Sequence, residues 1–198
     1  MLVALVFASS CKKKDTPPEI TGKYGIVAAD SKLEWKGYKN GGGHHGAFTV
    51  APADITVQQG KIAGGTFTVD ITTIQDFDLS VEEGRDELLD HLQSDAFFNV
   101  ALHPTATFTI TSQAPYEGGT EGAIAGANCI IKGNFTMLGK TLAISFPAKV
   151  NVTGTSLLAE ATFKIDRTKW GMNSFSDPAG GLYVFPNVDI ILKIKADK

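Results

Sequence analysis

Period-two alternation of apolar and polar side chains dominates the chain from Tyr24 onward. Leu33 and Trp35 alternate with Glu34 and Lys36, and Phe67, Val69 and Ile71 alternate with Thr66, Thr68, Asp70 and Thr72. Ala106, Phe108 and Ile110 are interleaved with Thr105, Thr107, Thr109 and Thr111. The pattern returns at Leu142, Ile144, Phe146, Ala148, Val150 and Val152, at Ala159, Ala161, Phe163 and Ile165, and at Val188, Ile190, Leu192 and Ile194. Such alternation gives every strand one dry and one wet face. Strands of a parallel sheet, covered on both sides, would read as unbroken apolar runs, so the sheet is expected to be antiparallel. Gly60-Lys61, Gly118-Gly119, Gly139-Lys140 and Gly154-Thr155 fall between the runs and predict that most strands are joined as hairpins.

About eight strands of this kind must stack as a sandwich or close as a barrel, to bury their dry faces and remove their edges. Periodicity does not choose between the two. One helix interrupts the series, between the fourth and fifth strands. Leu88, Leu89 and Leu92 form its apolar patch, and Ser80 with Glu83 reads as a capping box opening it at Val81, with its end at Leu92. Gly84 weakens such a helix by about 1 kcal/mol, so packing has to hold it. A lid or plug at one end of the sheet is its natural use.

With 198 residues, 43% hydrophobic and 20% charged, the chain suits one β-rich domain with a substantial core. A net charge of −3 leaves no basic stripe for a phosphate backbone, and nucleic acid is not an expected partner. The apolar run Leu2–Ala8, the small residues Ala8, Ser9 and Ser10, and then Cys11 are similar to a bacterial lipoprotein signal, although Ala8 stands where such signals usually carry leucine. The run is too short for the roughly 20 residues of a membrane-spanning helix. The expected organisation is a signal peptide over 1–10, a lipidated Cys11 with a tether over 11–22, and a barrel domain over 23–198. With Cys11 acylated, Cys129 has no disulfide partner and reads as a small core residue.

Candidate chemistry is sparse. His44 and His45 follow the glycine run Gly41–Gly43. Adjacent residues of a strand point to opposite faces, so at most one of them is expected to reach the interior, with His45 a candidate for contacting a polar headgroup. Zinc would need three or four convergent ligands, and His91, His103, Asp90 and Asp86 are the remaining candidates, so no metal is expected. Asp76 with Asp78, and Glu82 with Glu83, read as solvated carboxylates. Arg167, at the close of a strand, either offers its planar fork to a headgroup at a barrel rim or packs over Trp170 as a cation–π contact. No serine elbow and no glycine-rich phosphate loop occurs, so the chain is not expected to be an enzyme.

The segment LLDHLQSDAFFNVALHPTATFTI, residues 88–110, resembles the "L..HL.S.dFF.v...PtatF" stretch of the YceI-like family of bacterial polyisoprenoid-binding, lipocalin-like proteins. The stretch around Gly43, His44, Gly46 and Phe48, the DRTKWG of 166–171 and the KGNFTMLGKT of 132–141 are similar to three further family segments. The resemblance implies an all-β, eight-stranded antiparallel up-and-down barrel. It also implies a non-catalytic carrier of a long-chain isoprenoid or similar amphiphile in the bacterial envelope, held to a membrane through Cys11 and facing the periplasm or cell surface. Alternation names the candidate pocket lining as Trp35, Phe48, Phe67, Val69, Phe108, Ile110, Phe146, Phe163, Ile165 and Ile190. No cofactor is expected, and a homodimer is left open. The competing readings are a structural or stress-related envelope protein with a filled barrel, and a metal-dependent enzyme.

Overall fold

The computed structural model describes residues 20–198, so the expected signal, Cys11 and most of the expected tether lie outside the described residues. The alternating segments form β1 (Gly22–Ile26), β2 (Lys32–Lys39), β3 (Gly42–Val50), β4 (Asp54–Gln58), β5 (Lys61–Asp76), helix α1 (Arg85–Gln93), β6 (Thr105–Pro115), β7 (Cys129–Met137), β8 (Lys140–Val152), β9 (Ser156–Asp166) and β10 (Asn187–Asp197). All pair antiparallel in one sheet that closes on itself.

Ten segments make eight staves. β5 pairs with β4 through its first residues and with β3 through its last, and β10 pairs with β2 near its start and with β1 at its end. β1 and β2 are thus one broken stave, and β3 and β4 another. From there β5 to β10 follow in chain order, and β10 closes the ring against the first stave. This is the up-and-down, eight-stranded barrel, which leaves no unpaired edge. α1 follows the third stave and not a fourth strand, because β3 and β4 look separate in sequence and fold as one.

Tight turns set the register. Gln59-Gly60 (φ 51° and 73°) joins β4 to β5, and Leu138-Gly139 (φ 51° and 72°) joins β7 to β8. Positive φ at both central residues matches the right-handed twist of the flanking strands. Gly118-Gly119 instead lies in the long connection from Pro115 to Cys129 and makes no tight hairpin. The Ser80–Glu83 box does form, with the Ser80 amide donating to Glu83 Oε2 at 2.9 Å and the Glu83 amide to Ser80 Oγ at 3.3 Å. It closes a turn and not the helix, because Gly84 next takes the left-handed conformation (φ 92°) and α1 opens only at Arg85.

The connections β2–β3, β5–β6, β7–β8 and β9–β10 gather at one end of the barrel, together with α1. The described chain enters at the other end, where the Gly60 amide donates to the Ile20 carbonyl. Two buried clusters fill the interior: one centres on Tyr24, Ile55, Val57, Leu157 and Ile194, the other on Ile71, Phe97, Met137, Trp170 and Met172 at the α1 end.

Candidate functional site

Between these clusters lies a cavity of about 220 Å³. Its wall is built by inward-facing side chains of β2 to β10 and by Leu92 at the end of α1. All ten residues named from alternation lie on it: Trp35, Phe48, Phe67, Val69, Phe108, Ile110, Phe146, Phe163, Ile165 and Ile190. The charged residues bordering it are Arg167, which faces inward, and Glu160, which has the outward parity of β9 next to Ala159 and Ala161. Glu160 Oε2 pairs with Lys149 Nζ at 3.7 Å, and the Arg167 guanidinium is taken up by backbone carbonyls. An apolar cavity of roughly 150 Å³ stays dry and takes up benzene, so this one, with an almost wholly apolar wall, is roomy enough for hydrocarbon.

Aromatic rings give one side of the wall its shape. Phe67 and Phe108 lie 6.5 Å apart, Phe108 and Phe146 5.6 Å, and Phe146 stacks on Phe163 at 4.0 Å with planes 5° from parallel. β7 stands between Phe108 and Phe146, and its inward position there is Gly133. A Cβ on Gly133 would sit 2.4 Å from Phe108 Cζ, so the row of rings exists because this residue has no side chain. At the α1 end, Leu92, Phe97 and Phe98 cover the cavity, and Phe98 meets Phe48 edge-on at 5.7 Å. Trp35 is buried, and its Nε1 finds no hydrogen-bond partner.

Arg167 is not a free fork at a rim. It is 2% exposed, and its guanidinium donates to the carbonyls of Phe185 (3.3 Å), Ser174 (3.0 Å), Val184 (2.8 Å) and Met172. Burial pulls its pKa down, against the opposing pull of Asp166 and Tyr183. The ring beneath it is Phe97, at 5.6 Å, and not Trp170. Trp170 donates its own Nε1 to the Phe135 carbonyl at 3.1 Å. Arg167 is therefore a clamp that ties the 171–186 connection to the barrel. The sequence carries no sign of this, because its acceptors are backbone atoms of residues that fold back from beyond it.

His45 also departs from expectation. Its side chain is half exposed and lies off the cavity wall, against the edge of Phe77 at 6.1 Å. The two histidines converge instead of diverging: His44 Nδ1 is 2.9 Å from Asp78 Oδ2, and His45 Nδ1 is 3.2 Å from Asp78 Oδ1. Asp78 makes this happen by also accepting the His45 amide at 2.8 Å. Burial pushes the Asp78 carboxyl up, but the His45 amide and the His44 ring and its charge hold it below the usual carboxylate range. Asp76 is not solvated as its polar neighbourhood suggests; it is 8% exposed. Alternation hides this: Phe67, Val69 and Ile71 face inward on odd positions, and the shift in β3–β5 pairing between residues 70 and 75 turns Ile74 and Asp76 inward instead.

His91 packs against Phe97 and Phe175 at 5.2 and 5.5 Å, and His103 lies against Gly139. Neither joins Asp86 or Asp90 in a ligand group among the described residues. Cys129 is buried, donates weakly to the Ala148 carbonyl at 3.5 Å, and has its thiol pKa pushed up by burial to about 11. It is a core residue with no nucleophilic character at neutral pH.

The family model described as YceI-like domain matches residues 24–196. No curated protein matches the chain. Among solved structures, BcnA of Burkholderia cenocepacia superposes with a TM-score of 0.64 at 20% identity, over 86% of this chain and 99% of that one. A polyisoprenoid binding domain from Saccharophagus degradans, implicated in plant cell wall breakdown, gives 0.61 at 13% identity over 88% and 97%. A YCEI protein of Campylobacter jejuni gives 0.51 at 16% identity over 70% and 74%. At these identities the likeness is one of fold.

Proposed function

From the premise that this chain belongs to the YceI-like family, we propose that it is a non-catalytic carrier of a long-chain isoprenoid or similar amphiphile in the bacterial envelope. The observation that carries the reading is the apolar cavity threading the barrel. Each methylene moved from water into such a space contributes about 0.8 kcal/mol, so some ten carbons supply roughly 8 kcal/mol. Association consumes about 4–15 kcal/mol, so a long tail binds and a short one does not. A filled barrel of purely structural purpose would have no such space. The Trp35 indole N–H, buried without a partner, is the donor that a headgroup or chain oxygen would satisfy.

Lipid enters at the α1 end, where Leu92, Phe97 and Phe98 act as the gate. Phe77, Val81, Leu102 and Leu182 are exposed around that end, which suits contact with a lipid surface. In this reading the chain is held to a membrane by acylation of Cys11 and works in the periplasm or at the cell surface.

Native mass spectrometry of the chain purified from a bacterial envelope extract tests the proposal. The expected result is a prenyl or long-chain lipid bound at one per chain. Phe108→Asp, which puts a charge among the stacked rings, should abolish lipid retention while the barrel stays folded. A protein that neither retains nor takes up added polyprenol, or a folded Phe108→Asp variant with unchanged lipid, would overturn it.

A further inference from the structure

We propose that His44, Asp76 and Asp78 form a binding site for a divalent transition-metal ion of the zinc class at the α1 end of the barrel. One ligand atom from each of the three residues lies within 4.8 Å of those of the other two. An ion about 2.1 Å from every ligand requires donor atoms roughly 3.0–4.2 Å apart, so the site closes with side-chain movements below about 1 Å. Mixed imidazole and carboxylate donors suit Zn²⁺ and its first-row neighbours better than Ca²⁺ or Mg²⁺.

A second observation points to a missing partner. Asp76 is more than nine-tenths buried, and its two oxygens are treated differently by the fold. Oδ1 accepts the Asp78 and Leu79 amides at 3.2 and 2.8 Å, which pins the carboxylate in place. Oδ2 is buried and has no hydrogen-bond partner. An uncompensated buried carboxylate oxygen is costly, and here it lies beside a second carboxylate. A bound cation would satisfy both. The backbone holds the cluster in position: Gly46 pairs with Asp76, and a Cβ on Gly46 would fall 1.7 Å from the Gln75 carbonyl oxygen. β3 and β5 approach this closely only because residue 46 has no side chain, and that approach brings His44 over Asp78.

The inference is independent of lipid carriage, since the cluster is not on the cavity wall. Isothermal titration of the full, tag-free chain with Zn²⁺, with metal content measured after dialysis, tests it. We expect one ion per chain, with affinity lowered about tenfold or more by Asp76→Asn and by His44→Gln and within about twofold of wild type in His103→Gln. Asp76→Asn keeps the shape and the Oδ1 acceptor, and circular dichroism melting without metal establishes that each variant is folded. Absence of binding to the wild type, or binding that survives both site substitutions or is lost equally in His103→Gln, overturns the assignment.

Discussion

Replacing Arg167 by methionine removes a buried cation and leaves four backbone carbonyls, those of Met172, Ser174, Val184 and Phe185, without their donor. Each hydrogen bond from a charged donor contributes about 1.5–3 kcal/mol, a gross total of roughly 6–12 kcal/mol. Relief of the desolvated charge offsets part of this, and the freed loop carbonyls regain some water. The net loss is then about 3–5 kcal/mol, the range seen when one member of a buried charged network is removed. With a urea m value of about 2 kcal/mol/M, the midpoint of unfolding falls by about 1.5–2.5 M. Arg167→Lys should lose nearly as much, because one ammonium on a flexible stem does not span acceptors on both flanks of the connection. Equilibrium urea titration followed by tryptophan fluorescence measures both variants. Midpoints within about 0.5 M of wild type, together with loss of bound lipid, would refute the clamp and restore Arg167 as a headgroup contact.

Gly133→Leu should displace Phe108, disrupt the stacked rings and cost about 1–3 kcal/mol by overpacking, with a matching fall in lipid retention in native mass spectra. Asp189 is pushed up by burial but held below its usual range by Lys164 at 2.8 Å and by the Tyr38 hydroxyl at 2.7 Å. Its lowered folded pKa adds stability above about pH 3.9 that is lost as pH falls through the folded value, so Asp189→Asn should flatten the acid limb of a melting-temperature profile; an unchanged limb would count against the pairing. The Cys129 thiol, at about 11, should resist disulfide-exchange reagents at pH 7.5 in a Cys11→Ser background and react only when urea unfolds the barrel. The same shift makes the fold less stable as pH rises from about 8.5 towards 11, because the unfolded chain releases that proton first.

Alternation by itself determined the antiparallel sheet and the inward face of most strands, and the ten candidate lining residues it names lie among those on the cavity wall. The physical reason is that a strand's side chains have a period of two whatever surrounds them. The likeness of 88–110 to the YceI-like family resolved barrel against sandwich, which periodicity leaves degenerate. What only the tertiary structure decided were the pairings of polar atoms. Arg167 bonds to carbonyls, which every residue possesses and no sequence pattern distinguishes. Asp76 and Asp78 look like a solvated turn until the close approach of β3 to β5 at Gly46 buries one and sets the histidines against the other. Apolar burial is set residue by residue along a strand, whereas the partner of a charge depends on which distant segments the closed barrel brings within 3 Å.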